Sequence, residues 1–173
     1  MVSGTRSDRE LWELLRAADD PTHAESPPDF DEREARAKFM RLVQLIVGRF
    51  GRSVGYEAGF PLIQDASFFA DVTIPAEATK GGVAIGVRTS NFGELATIFL
   101  PDADLWDDAS AVAVLIQEED LRAIEDLLAQ GGYGYVPLRL LAAEYDGVHQ
   151  ALRDTYAHKG RQLSWWHRYF DWL

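Results

Sequence analysis

Two groups of polar residues have types and spacings that can do chemistry. The first is Gln64 and Asp65, just before the run SFFADVTIP, together with Arg88, Ser90 and Asn91 at the end of GGVAIGVRTS. If these runs are neighbouring antiparallel strands in a suitable register, the two sets meet at one sheet edge and Asp65 can pair with Arg88. A structural ion pair with turn chemistry is the simplest outcome. A small enzyme or a ligand-binding site near Asp65 and Arg88 is the alternative. Catalysis, however, needs a base, a nucleophile and an orienting group within reach, and no His or Cys stands near this set to serve as the base. The second group is acidic. Asp102, Asp104, Asp107, Asp108, Glu118, Glu125 and Asp126 fall within residues 101–130, where nine acids face one base, Arg122. That stretch carries −8 of the chain's net −11.

Other chemistries fail on pattern or context. DADLWDD, residues 102–108, opens like a calcium loop, with Asp102, Asp104 and Asp108 at relative positions 1, 3 and 7. The glycine needed at position 6 is Asp107 and the glutamate needed at position 12 is Ala113, so a solvated acidic loop is the better reading. No pair among His23, His149, His158 and His167 has helical metal-ligand spacing, so no metal site is expected. His23 reads as a loop residue and the other three as solvated or capping. There is no G-x-S-x-G, no phosphate loop, no H-E-x-x-H and no G-x-G-x-x-G after a strand. QGGYGYVP is glycine-rich but follows a helix instead of opening one, which excludes a phosphate cradle. No cofactor is expected.

The charge bounds the partners. A strongly acidic surface repels nucleic acid, so neither DNA nor RNA is an expected partner. A basic protein would be attracted. The 173 residues contain no Cys, which excludes disulfides and thiol chemistry. No apolar run has the length of a signal segment or of a membrane span. A cytoplasmic protein is the default expectation.

The elements that must position these residues are legible from period. Ser7 and Glu10 form a capping box before Leu11, Leu14, Leu15 and Ala18, predicting a helix over about 8–18. DERE at 31–34 starts a second helix whose face is Ala35, Phe39, Leu42, Val43, Ile46 and Phe50, stopped at Gly51. The period then becomes two. SFFADVTIP places Phe68, Ala70, Val72 and Ile74 on one face and Ser67, Phe69, Asp71 and Thr73 on the other. GGVAIGVRTS sets Val83, Ile85 and Val87 against Ala84, Gly86 and Arg88. LATIFLP forms a third strand. Asn91 and Gly93 in SNFGE can take positive φ, so a hairpin joins the last two strands. VGYEAGF is a weaker strand, and AVAVLI at 111–116 suits strand or helix. QEEDLRAIEDLLAQGG is a helix with its acids at the positive end of the macrodipole. YGYVP is short and extended, and LRLLAAEYDGVHQALRDTYAHKG is helical in pieces, broken near Asp146 and Gly147. The order of helices, strands and helices argues an α+β fold: an antiparallel meander of four to five strands packed with N-terminal and C-terminal helices. A single domain spans 1–173, with residues 1–6 expected to be disordered.

The chain ends in LSWWHRYFDWL. On a helical wheel Trp165, Trp166, Tyr169, Phe170, Trp172 and Leu173 span about 160°. His167, Arg168 and Asp171 fill the other side, where both His167 and Arg168 can reach Asp171. Ser164 stands at the N-cap. So short a helix is unstable alone and must dock. A plug over the domain's own core is the main reading. Exposed anchors for a partner or a structural homodimer are the alternative, with Trp165 and Trp172 the expected exposed residues.

SFFADVTIP, VRTSNFGELATIF, YGYVPLRLL, EYDG and SWWHRYFDWL occur in this order over residues 67–173. The pattern resembles a group of small bacterial proteins without assigned activity, of the kind found as immunity proteins to secreted toxins. The resemblance implies a non-enzymatic α+β domain that binds another protein. The acidic stretch agrees with it independently, because basic partners are steered to such a surface.

Overall fold

The computed structural model describes residues 6–59, 66–101 and 105–172, with the backbone alone at 105–108. Gln64, Asp65, Asp102 and Asp104 lie outside the described residues. Ser7 and Glu10 close the expected capping box at the start of α1, Asp8–Ala17. Asp31 caps α2, Glu32–Phe50, by accepting the amides of Arg33 and Glu34 at 2.8 and 3.0 Å. Four strands then run as a meander, β1 (Gly55–Ala58), β2 (Phe68–Ile74), β3 (Ile85–Ser90) and β4 (Leu95–Phe99), each antiparallel to the next. AVAVLI is helical, within α3, Leu105–Leu115. α4, Glu118–Gln130, returns the chain to β5, Gly134–Tyr135, which adds to β4 in parallel. The sheet order is β1-β2-β3-β4-β5. α5 (Leu138–Leu141), α6 (Gln150–His158) and α7 (Trp165–Phe170) complete an α+β fold with helices at both ends of the chain.

The expected split of β2 into faces fails at its start. A bulge between Phe68 and Ala70 inserts one extra residue in the pairing with β3. Phe69 therefore joins Ala70, Val72 and Ile74 on the face covered by α2, where its ring meets Phe39 at 6.2 Å. Phe68 turns to the opposite face, against Trp172 at 5.5 Å. Period two holds again from Ala70 to Ile74. The turn after β3 also differs from expectation. Positive φ falls on Gly93 (58°) and Glu94 (55°), not on Asn91. Asn91 instead donates its Nδ2 to the carbonyls of Glu25 and Ala66, fixing two loops beside the sheet.

The aromatic tail is a plug on that opposite face. Trp165, Trp166, Tyr169 and Phe170 are buried, while Trp172 is 48% exposed. Trp165 is thus the reverse of its expected exposure: its ring lies between Trp12 and Tyr145, at 5.9 and 4.8 Å. Ser164 stands at the N-cap of α7, and its amide donates to His167 Nδ1 at 3.1 Å. His167 Nε2 approaches Asp171 at 3.8 Å, as the spacing suggests. Arg168 does not. It is fully buried, and its Nε donates to Asp19 at 2.7 Å. Its two Nη atoms donate to the carbonyls of Asp20, His23 and Ala24. Asp19 also accepts Tyr145 Oη at 2.6 Å and the Val148 amide at 2.8 Å. α7 thus sits between the sheet and the 19–25 loop, so its polar side also faces protein. Ser67 extends the attachment, since its amide donates to the Asp171 carbonyl at 3.1 Å.

Candidate functional site

Arg88, Ser90 and Asn91, the described members of the sheet-edge set, make structural bonds. Arg88 donates from Nε and Nη2 to both carboxylate oxygens of Asp71, its direct cross-strand neighbour, at 2.8 and 2.7 Å. Its Nη1 donates to the Phe170 carbonyl at 2.8 Å. The guanidinium also lies over Phe68, Phe99 and Trp166, at 4.1, 5.2 and 5.5 Å. Such a bidentate, stacked arginine positions the tail on the sheet. The signal was available in the sequence, since Asp71 and Arg88 both sit at polar positions of adjacent strands. Ser90 Oγ donates to the Ser67 carbonyl and accepts the Phe92 amide. Arg88, Ser90 and Asn91 are therefore brought together as joinery between strand, loop and tail. Gln64 and Asp65 fall outside the described residues.

The acidic stretch is organised by α4. Its first turn carries Glu118, Glu119 and Asp120 at the end where backbone N–H groups are unpaired. Ile124, Leu127 and Leu128 are buried and hold the helix on α2. Asp120 turns inward, accepting the Lys80 amide at 2.7 Å. Glu119 pairs with Lys80, whose ammonium holds that carboxyl below its usual range, and Arg49 stands 4.0 Å away. Glu118 is bonded by Arg122 one turn on. Glu125 and Asp126 have no ion-pair partner within 4 Å among the described residues. Arg139 and Arg153, two bases later in the chain that could cancel these acids, are bonded elsewhere. Arg139 forks onto Asp8, and Arg153 donates to Gln150. Asp107 and Asp108 lie on α3, and Asp102 and Asp104 precede it outside the described residues.

Glu125 and Asp126 border a groove of about 750 Å³, half open to solvent. Leu11 and Leu14 of α1, Ala109, Val112 and Ala113 of α3, and Leu121 and Ala129 of α4 give it apolar walls. Tyr133, Tyr135 and Leu138 close its inner side. Burial pushes both phenols up, reinforced by Glu94 at Tyr133 and by Glu125 at Tyr135. Burial also raises the Glu125 carboxyl, and the neighbouring Asp126 adds to the shift while Arg122 opposes it. Arg6, Arg139, which is paired with Asp8, and Glu94, which is paired with Lys38, also line the groove. The groove therefore has apolar walls with charged residues beside them, of which Glu125 and Asp126 on α4 have no ion-pair partner among the described residues. Period alone marks Leu14 and Leu121 as apolar-face residues. It does not reveal that α1, α3 and α4 leave a gap between them.

What the fold defines is an open five-stranded α+β domain with an acidic helix beside an apolar groove. No family model, no curated protein and no solved structure matches the chain. Among the described residues no group of three His, Asp or Glu side chains converges as a metal site, and no helix is long and apolar enough to cross a membrane.

Proposed function

We propose that the chain is a non-enzymatic, protein-binding module, immunity-like in kind, that engages a cationic partner through the acidic face of α4. One observation carries this reading: among the described residues Glu125 and Asp126 have no ion-pair partner within 4 Å, while Arg122 is bonded to Glu118 and Arg139 to Asp8. Glu125 is half-buried and Asp126 exposed, and a half-buried carboxylate without a counter-ion gains more from an incoming cation than a fully solvated one does. Charge complementarity of this type contributes mainly to encounter rate and to partner choice. A cytoplasmic site of action accords with a chain that contains no cysteine.

The test is affinity capture from a bacterial extract with the wild-type protein and with a Glu125→Lys/Asp126→Lys variant of matched melting temperature. The expected result is a basic protein retained by the wild type at low salt, eluted by added salt, and absent from the variant. Identical retention by both proteins would overturn the reading.

A further inference from the structure

The groove beside α4 has a shape and a charge distribution that specify more than a cation. Its walls are the aliphatic side chains of Leu14, Val112 and Leu121, contributed by three different helices, and its α4 rim carries Glu125 and Asp126. We propose that this groove is the seat of an amphipathic basic helix of the partner. Apolar side chains of that helix would enter between α1, α3 and α4, and its Lys or Arg residues would meet Glu125 and Asp126. The inference rests on the cationic-partner reading and adds the form of the ligand. A solvated ion needs no apolar trough, and a purely apolar segment would leave the two carboxylates desolvated without a partner. An amphipathic basic helix satisfies both surfaces at once, with anchors spaced i, i+3, i+4 and i+7. The charges also orient it. Its cationic edge faces Glu125 and Asp126 on α4, away from Arg6 and Arg139, the two bases that also line the groove.

The probe is a synthetic helical peptide with Leu at i, i+3, i+4 and i+7 and Lys on the other face. A scrambled peptide of the same composition and hexylammonium serve as comparisons. Binding is followed by amide chemical shifts of the full-length protein. The amphipathic peptide is expected to shift Leu14, Val112, Leu121 and Tyr135 and to bind at least tenfold more tightly than the scrambled one. Glu125→Gln/Asp126→Asn should weaken it about two- to thirtyfold, the range for two exposed ion pairs. Filling the groove by Ala113→Trp or, separately, Ala129→Trp, both at exposed wall positions, should abolish binding with the acids intact. If the scrambled peptide binds equally, or both tryptophan variants still bind, the groove inference is overturned while the cationic-face reading stands. If hexylammonium saturates the same shifts and excludes the peptide, or the shifts appear on self-association without peptide, the occupant is a small cation or a second copy and the inference fails. If the amphipathic peptide binds wild type and Glu125→Lys/Asp126→Lys alike, both readings fail.

Discussion

Cutting the bond between Arg168 and Asp19 should loosen the entire tail. The two side chains are 0% and 1% exposed. Arg168→Met leaves Asp19 buried with only Tyr145 Oη and the Val148 amide as donors, and strips the carbonyls of Asp20, His23 and Ala24 of theirs. Removing one partner of a buried pair costs about 3–5 kcal/mol, because the other charge stays desolvated. A domain's total stability is about 5–15 kcal/mol, so the loss is a large share of it. Asp19→Leu should cost a similar amount. The double variant should cost less than the sum of the two by about 0.5–3 kcal/mol, since no unpaired charge then remains. Urea unfolding followed by near-ultraviolet circular dichroism, which reports the tail tryptophans, gives these values. Amide exchange at Val148 should accelerate in Asp19→Leu, because its acceptor is gone. Single-variant losses below about 1 kcal/mol, or strict additivity, would refute the assignment of Arg168 as the bolt between tail and loop.

Trp165→Ala should cost about 3–5 kcal/mol, the usual range for a large buried aromatic, whereas the half-exposed Trp172 should cost about 1 kcal/mol; equal midpoint shifts would contradict the plug. Deleting residues 164–173 should unfold most of the population, and a truncated protein that keeps its melting temperature would promote the tail to a binding epitope. Gly86 lies opposite Phe99, and a Cβ there would come 2.5–2.8 Å from three ring atoms, so Gly86→Ala should lose about 1–3 kcal/mol by overpacking, read from its melting curve. Stability should also fall on mild acidification. His149 and His167 accept the amides of Leu152 and Ser164 through Nδ1, and burial holds both below the ordinary value of 6.5. Arg168 near the first and Arg161 near the second add to the lowering, while Asp19 and Asp20, and Asp171, oppose it. The unfolded chain therefore binds more protons below 6.5, so this stabilisation is complete above 6.5 and is lost as pH falls through the lower folded-state values. A melting temperature that is flat or rises from pH 7.5 to 5 would contradict this.

Local signals translated well. Ser7 with Glu10, and Asp31 before α2, cap helices through bonds that span three residues or fewer, so adjacent sequence contains the whole cause. The helical faces of α2 and α4 followed for the same reason. Phe68 and Phe69 exchanged faces because a bulge belongs to the pairing of two strands and leaves no mark in the period of one. Arg168 stood on the polar side of its wheel, yet the loop it binds lies about 145 residues earlier, and no periodicity encodes that meeting. Register makes Asp71 the direct neighbour of Arg88, a pairing that the period of either strand alone does not contain. The acids of α4 were visible by composition, and Glu118 pairs with Arg122 of the same helix, while the pairing of Glu119 and the inward turn of Asp120 depend on Lys80 and Arg49 arriving from elsewhere in the fold.

The most direct test of a cationic partner at α4 is the association rate of the captured basic protein, measured by stopped-flow against ionic strength for the wild type and for Glu125→Lys/Asp126→Lys. Steering by an unpaired acidic face should give the wild type a rate that falls by about tenfold or more between low and high salt. The variant should start slower and converge with the wild type as screening grows. A wild-type rate independent of salt, or one unchanged by reversing Glu125 and Asp126, would contradict it.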